Sequence, residues 1–205
     1  EDGGLVMADF NFDGYTDIAL QAWGPVYNHP DYYWFYNRFT GEFEYFGCLN
    51  GEAVVDGTNR EFTIEHRDGA TYYTDHYRPD DANSVYLAQR DVVIYGENRE
   101  TMRTETYGKN EHPITYADFD RNGTDESVVV VDRGDFVYDV QVRRQDGTAL
   151  WQQELATVHA GWSSLFLHID ADGAALLQYS PYMSTGSAYY SYTLFTLKDG
   201  HENIL

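Results

Sequence analysis

Asp9-Phe10-Asn11-Phe12-Asp13-Gly14-Tyr15-Thr16-Asp17 runs directly into the apolar stretch Ile18-Ala19-Leu20. The arrangement returns as Asp118-Phe119-Asp120-Arg121-Asn122-Gly123-Thr124-Asp125-Glu126, which leads through Ser127 into Val128-Val129-Val130-Val131. Each stretch has a carboxylate or amide at positions 1, 3, 5 and 9 and a glycine at position 6. A tight polar loop that feeds a β-branched run predicts a turn followed by a strand. The same signal twice predicts a chain organised as two similar halves.

Outward from the loops, no long segment carries apolar residues at helical spacing. Short Tyr, Val and Phe runs alternate with Gly, Asp and Asn, the pattern of hairpins. Tyr32 to Tyr36 turns through Asn37 to Glu42 into Phe43 to Phe46. Glu61 to His66 turns through Arg67-Asp68-Gly69 into Thr71 to Arg78, and Val92 to Gly96 pairs with Thr101 to Tyr107. In the second half Phe136 to Arg143 turns at Gln145-Asp146-Gly147 into Ala149 to Leu155, with Trp151 in the core. Ser164 to Ile169 precedes Asp172-Gly173, and Leu176 to Ser180 with Tyr189 to Leu197 forms the last hairpin. Gly41 and Gly147, then Gly69 and Gly186, recur in the same order after each Asp-rich loop. The expected fold is all-β, with propeller-like antiparallel sheets in two tandem halves, 1–108 and 109–205. The boundary falls at the polar turn Gly108-Lys109-Asn110-Glu111, just before His112-Pro113.

The chain carries 34 Asp and Glu against 13 Lys and Arg, a net charge of −21. That balance argues against a nucleic-acid partner, which needs a basic surface, and against docking on anionic lipid. With 42% hydrophobic and 17% aromatic residues, the chain has too much apolar surface to remain disordered. No apolar run reaches the roughly 20 residues of a membrane-spanning helix. The opening Glu1-Asp2-Gly3-Gly4 lacks a leader's basic and apolar regions, as a mature region or a fragment would. The one cysteine, Cys48, has no partner for an internal disulfide. Between Gly47 and Leu49 it reads as a small buried thiol at a strand end.

The two Asp-rich loops read as cages for a hard cation. Alternate side chains of a tight loop converge, and the position-7 carbonyl adds an oxygen. The expected ligands are Asp9, Asn11, Asp13, Tyr15 and Asp17 in loop 9–17. In loop 118–126 they are Asp118, Asp120, Asn122, Thr124 and Glu126. Ca²⁺ takes 6–8 oxygens in tolerant geometry, whereas Mg²⁺ demands a near-octahedron and keeps its waters. Zn²⁺ is disfavoured because neither loop holds His or Cys. An EF-hand needs Glu at position 12 and a helix beyond it; here position 12 is Leu20 or Val129. The expected cofactor is therefore Ca²⁺ at two sites. The competing reading is a pair of Asp/Asn-rich turns without metal. His168-Ile169-Asp170-Ala171-Asp172-Gly173 is a third look-alike and reads as a turn only.

D-x-[DN]-x-[DN]-G-x-x-[DE] followed by a strand resembles the calcium loop of the FG-GAP/VCBS-type repeat. The resemblance covers two nine-residue stretches and their flanking strands. It implies calcium, β-propeller relatives and a secreted or cell-surface setting. The first half, with its Tyr-rich hairpin and Gly-x-x-Tyr turn, also resembles calcium-containing, propeller-like periplasmic proteins related to invertebrate-type lysozyme inhibitors. That second resemblance implies a loop of the form Ser-Gly-x-Tyr or Ser-Gly-x-x-Tyr placed in a lysozyme cleft. Thr185-Gly186-Ser187-Ala188-Tyr189 matches it with Thr185 in place of serine, so Thr185, Gly186 and Tyr189 are the candidate partner-binding residues. Asp68-Gly69-Ala70-Thr71-Tyr72 matches less well, because Asp68 would face catalytic carboxylates with like charge. An acidic chain would also be drawn toward a basic lysozyme-like enzyme. The competing reading makes both segments ordinary hairpin turns.

Motifs for enzymatic chemistry are missing from the sequence: no Gly-x-Ser-x-Gly, His-Glu-x-x-His, Gly-rich phosphate loop or Cys-x-x-Cys. His159 beside Gly161-Trp162 reads as a structural turn histidine. Tyr182, Tyr189, Tyr190 and Tyr192 cluster in one hairpin and suggest a glycan partner instead, although alternation would send half of them to the core. The expectation is a non-enzymatic, extracellular, cell-surface or periplasmic calcium-binding interaction module. Its partner would be a protein or a glycan.

Overall fold

A computed structural model describes residues 4–22, 28–80, 83–95, 100–158, 161–162, 164–170 and 173–205. Every regular element among them is a β-strand, and all strand pairings are antiparallel. The chain divides into two compact units, Glu1–Lys109 and Asn110–Leu205.

In the first unit β1 (Leu5–Ala8), β2 (Asp17–Gln21), β3 (Pro30–Asn37) and β4 (Glu42–Asn50) form one sheet in chain order. Its second sheet is β5 (Ala53–Asp56), β6 (Glu61–Asp68), β7 (Thr71–Pro79), β8 (Val85–Tyr95) and β9 (Glu100–Thr106). Phe10 from the loop before β2 and inward-facing residues of both sheets build one core: Ala19, Tyr33, Phe35, Phe62, Ile64 and Val85. Phe10 meets Tyr33 and Phe62 edge-on at 5.2 and 5.6 Å, the arrangement that ring quadrupoles favour.

The second unit begins with β10 (Glu111–Ala117), β11 (Glu126–Gly134), β12 (Val137–Arg143), β13 (Ala149–Val158) and β14 (Gly161–Trp162). It ends with β15 (Ser164–Asp170), β16 (Gly173–Ser184), β17 (Ser187–Lys198) and β18 (His201–Ile204). Pro113 sits on the edge strand β10, where the pairing with β11 shifts register, a position that tolerates a missing N–H. The core here is Ala117, Phe119, Val128, Val140, Val142, Leu150, Trp151, Ala174, Leu176, Phe195 and Leu197. In each unit a recurring glycine turns the third strand into the fourth of the first sheet: Gly41 and Gly147. Gly69 and Gly186 turn the second strand into the third of the second sheet.

Several expectations need correction. Arg67 and Asp68 belong to β6, which leaves Gly69-Ala70 as the whole turn. Phe136 precedes β12 in the left-handed region at φ 62°. The last hairpin is β17–β18, because β16 and β17 each extend to 12 residues and a short strand follows. Cys48 is exposed. It lies opposite Tyr32 on the outer face, while its neighbour Leu49, opposite Asp31, packs on the core. Tyr189, Tyr190 and Tyr192 are all exposed rather than half buried. His159 lies outside the described residues, as do Ala171-Asp172 and the side chain of Tyr182.

Gly51 carries the chain from β4 toward β5 with φ at 126°. A Cβ there would lie 2.5 Å from the Glu65 carbonyl oxygen and 2.7 Å from Ile64 Cγ2. Backbone cannot give way as a flexible side chain does, and φ is strained for any L residue. Gly51→Ala is expected to lower stability by about 2–4 kcal/mol, from strain added to overpacking. Gly57→Ala meets open space and is expected to change it by less than about 0.5 kcal/mol. Urea midpoints of the two variants test this; equal midpoints would refute the steric reading.

Candidate metal centre

Each Asp-rich loop joins the first two strands of its unit, 9–17 between β1 and β2 and 118–126 between β10 and β11. The residue after the leading aspartate anchors it. Phe10 and Phe119 are fully buried in their cores. Sequence reading missed this role, although an apolar residue repeated at position 2 of both loops was the available signal.

The loop backbones match bond for bond. Position 4 is left-handed in both, at φ 59° for Phe12 and 61° for Arg121, and position 6 likewise, at 91° for Gly14 and 84° for Gly123. Asp9 accepts from the Asp13 and Gly14 N–H groups at 3.0 and 2.9 Å. Asp118 accepts from Asn122 and Gly123 at 3.0 and 2.8 Å. The position-3 side chain accepts from the position-5 N–H, at 3.1 Å for Asn11 and 3.2 Å for Asp120. The position-5 side chain accepts from position 7, Tyr15 at 2.9 Å and Thr124 at 2.8 Å. The position-9 carboxylate accepts from the anchoring phenylalanine N–H at 2.9 Å in both loops. Such side-chain-to-backbone bonds hold an irregular loop in one conformation.

The two loops differ in where their carboxylates meet. Asp118, Asp120 and Glu126 each place an oxygen within 4.8 Å of the other two. Asp9, Asp13 and Asp17 do not form such a trio. The reason lies in the sequence. Position 3 is Asp120 in the second loop but Asn11 in the first, where the charge moves to Asp13 at position 5. The Asn11 amide instead donates to Asn83 Oδ1 at 2.9 Å. Asp17, one methylene shorter than Glu126, accepts from the Phe10, Asn11 and Tyr36 N–H groups.

Both position-9 acids are buried, Asp17 at 0% and Glu126 at 1% exposure. Burial pushes the Glu126 carboxyl up to about 7. The Asp120 and Asp118 charges add to the rise, against hydrogen bonds from the Phe119 and Asp120 backbone. Burial likewise pushes Asp17 up to about 6, against three backbone hydrogen bonds. Three converging carboxylates, one in the interior, repel one another. An all-oxygen donor set of this kind suits a hard cation and offers nothing to a soft one.

The partner-loop candidates sit elsewhere. Thr185 and Gly186 form the turn at the tip of β16–β17, with Gly186 at φ 83°. Tyr189 on β17 stands opposite Tyr182 and is 63% exposed. In the other candidate Tyr72 is exposed beside Tyr95, their rings 5.3 Å apart and edge-on, and Arg67 donates to its hydroxyl at 3.4 Å.

No family model, curated protein or solved structure matches this chain.

Proposed function

We propose that the chain is a non-enzymatic calcium-binding β-protein whose two Asp-rich loops hold structural Ca²⁺. The observation that carries this reading is the convergence of Asp118, Asp120 and Glu126 within 4.8 Å, with Glu126 buried. Those three carboxylates, the Asn122 side chain and the Thr124 carbonyl would hold one ion. Asp9, Asn11, Asp13, Asp17 and the Tyr15 carbonyl would hold the other, on a loop with the same backbone hydrogen bonds. Each ion would tie the first two strands of its unit together by binding the native state. Two such cations offset four of the 21 net negative charges, so most of the acidity serves something else. Solubility and attraction to a basic partner are the two physical uses.

The proposal includes a duplicated, propeller-like architecture. Four consecutive antiparallel meanders of four or five strands and the matched glycine turns support it. A secreted or cell-surface setting follows from the millimolar calcium that extracellular modules use. For the partner, the exposed Thr185–Tyr192 tip supports a protein or glycan contact, a basic lysozyme-like enzyme among them. Loss of inhibition in Tyr189→Ala would favour the lysozyme partner, and retained inhibition would remove that loop from the account.

Calorimetric titration with Ca²⁺ after chelation tests the central reading. The expected result is two sites per chain, reduced to one in Glu126→Gln. Absence of heat at millimolar Ca²⁺, with an unchanged melting curve, would overturn it.

A further inference from the structure

We propose that the second unit carries a binding site for a small, neutral, apolar ligand, separate from the metal loops. A half-open pocket of about 260 Å³ lies between the sheet that begins at β10 and the β15–β16 pair. Nine side chains line it. Eight are aliphatic, among them Val130 and Val140, paired across β11 and β12, and Leu167 and Leu176, paired across β15 and β16. The ninth is Tyr138, opposite Leu155 across β12 and β13.

Protein interiors pack to crystal density and leave few voids larger than a water molecule. A half-open recess of this size, walled by aliphatic side chains, leaves apolar surface against water that ordinary packing would cover. Water against these walls finds few hydrogen-bond partners, because the Tyr138 hydroxyl is the one polar group among the lining side chains, so its displacement by an apolar ligand is favoured.

The lining also fixes the class of ligand. No lining residue is charged, so a buried carboxylate or ammonium would lose its hydration with nothing in return. A hydrocarbon body is matched by aliphatic walls on both sheets. One oxygen on that body can exchange a hydrogen bond with the Tyr138 hydroxyl, which both donates and accepts. The occupant is thus a hydrocarbon chain or ring that ends in an alcohol or carbonyl. The volume lies just under the range of drug-sized pockets, which limits it to a small molecule.

The test uses the full chain, with N-phenyl-1-naphthylamine as fluorescent probe and 1-decanol and decanoate as competitors at pH 8. Saturable 1:1 binding of the probe is expected, displaced by 1-decanol at concentrations at least tenfold below those needed for decanoate. Val130→Phe and Leu167→Trp fill the space from opposite sheets. A folded filler is expected to bind the probe at least tenfold more weakly and to melt no lower than the parent. Tyr138→Phe keeps every apolar wall; it should retain the probe and weaken 1-decanol about fivefold. Probe binding that is absent, or unchanged in a folded filler, overturns the site. Equal displacement by decanoate, or unaltered 1-decanol binding in Tyr138→Phe, overturns the neutral-ligand assignment.

Discussion

With EDTA present, the chain is expected to lose stability as the pH rises from about 4 to 7, and the stabilisation by Ca²⁺ is expected to grow over the same interval. Glu126 and Asp17 are acids whose folded pKa values, about 7 and about 6, stand above their ordinary values of 4.5 and 3.8. Between the ordinary and the raised value, the folded state binds more protons than the unfolded one. Stability therefore falls with rising pH through that window, and it is fully present below it. At 1.36 kcal/mol per pH unit, each group accounts for something on the order of 3 kcal/mol by pH 8.

A cation reverses the preference, because it binds the ionised carboxylates and must displace their protons first. At pH 8 a site filled at 100 times its Kd contributes about 2.7 kcal/mol, which raises Tm by about 5–10 °C in a chain of this size. At pH 5 the same Ca²⁺ concentration should raise it much less. Asp31 leaves a residue of the pH slope that calcium does not remove. It is buried, its Oδ1 has no hydrogen-bond partner, and burial together with the Glu52 charge pushes it up to about 6, against the opposing His29. Thermal melts at pH 5, 6, 7 and 8, with Ca²⁺ and with EDTA, measure both effects. A calcium-induced shift that is flat across pH would disconnect the buried acids from the metal.

The hairpins and both loops were legible because their signals are local. A tight turn needs Gly, Asp or Asn in a few adjacent positions, and a half-buried strand needs alternation within six residues. The burial of Cys48 was misread because its face depends on a bulge. Tyr33 pairs with Gly47 but Trp34 with Tyr45, so Phe46 is the extra residue. The exposed tyrosines of β17 were misjudged for a related reason. Alternation assigns one face to a core, but the outer half of the β16–β17 hairpin has none: Ser187 to Tyr192 are exposed on both faces. In the loops, composition showed three carboxylates each, yet their convergence turns on which position carries the third acid. Asp120 joins its trio, whereas Asp13 does not. The interior charge cluster of the first unit was invisible, since its members meet only through strand register.

That cluster supports the second large expected effect, a loss of about 3–5 kcal/mol in Asp75→Ala. Asp75 is 3% exposed on β7, and Arg90 lies directly opposite on β8. The guanidinium donates through Nε and a terminal nitrogen to the two carboxylate oxygens at 2.5 and 2.7 Å. His66 Nε2 lies 3.0 Å from Oδ2, and its ring stacks on Tyr73, whose face also carries the Arg90 guanidinium at 5.1 Å. Burial acts to raise the Asp75 pKa, but the Arg90 and His66 hydrogen bonds outweigh it, and the net value is lowered. An acid with a lowered folded pKa adds stability above its ordinary value and loses it as the pH falls through the folded one. The parent chain should therefore show an acid limb below about pH 4 that is weaker in Asp75→Ala. Removing the carboxylate takes from a guanidinium whose side chain is 14% exposed the two oxygens it meets on Asp75. For that reason the single variant costs more than the pair is worth, and an apolar replacement of both, Asp75→Leu with Arg90→Leu, should recover most of the loss. Urea unfolding of Asp75→Leu, Arg90→Leu and the double variant gives the coupling energy. Additivity within about 0.5 kcal/mol would show that the pair does not act as a unit.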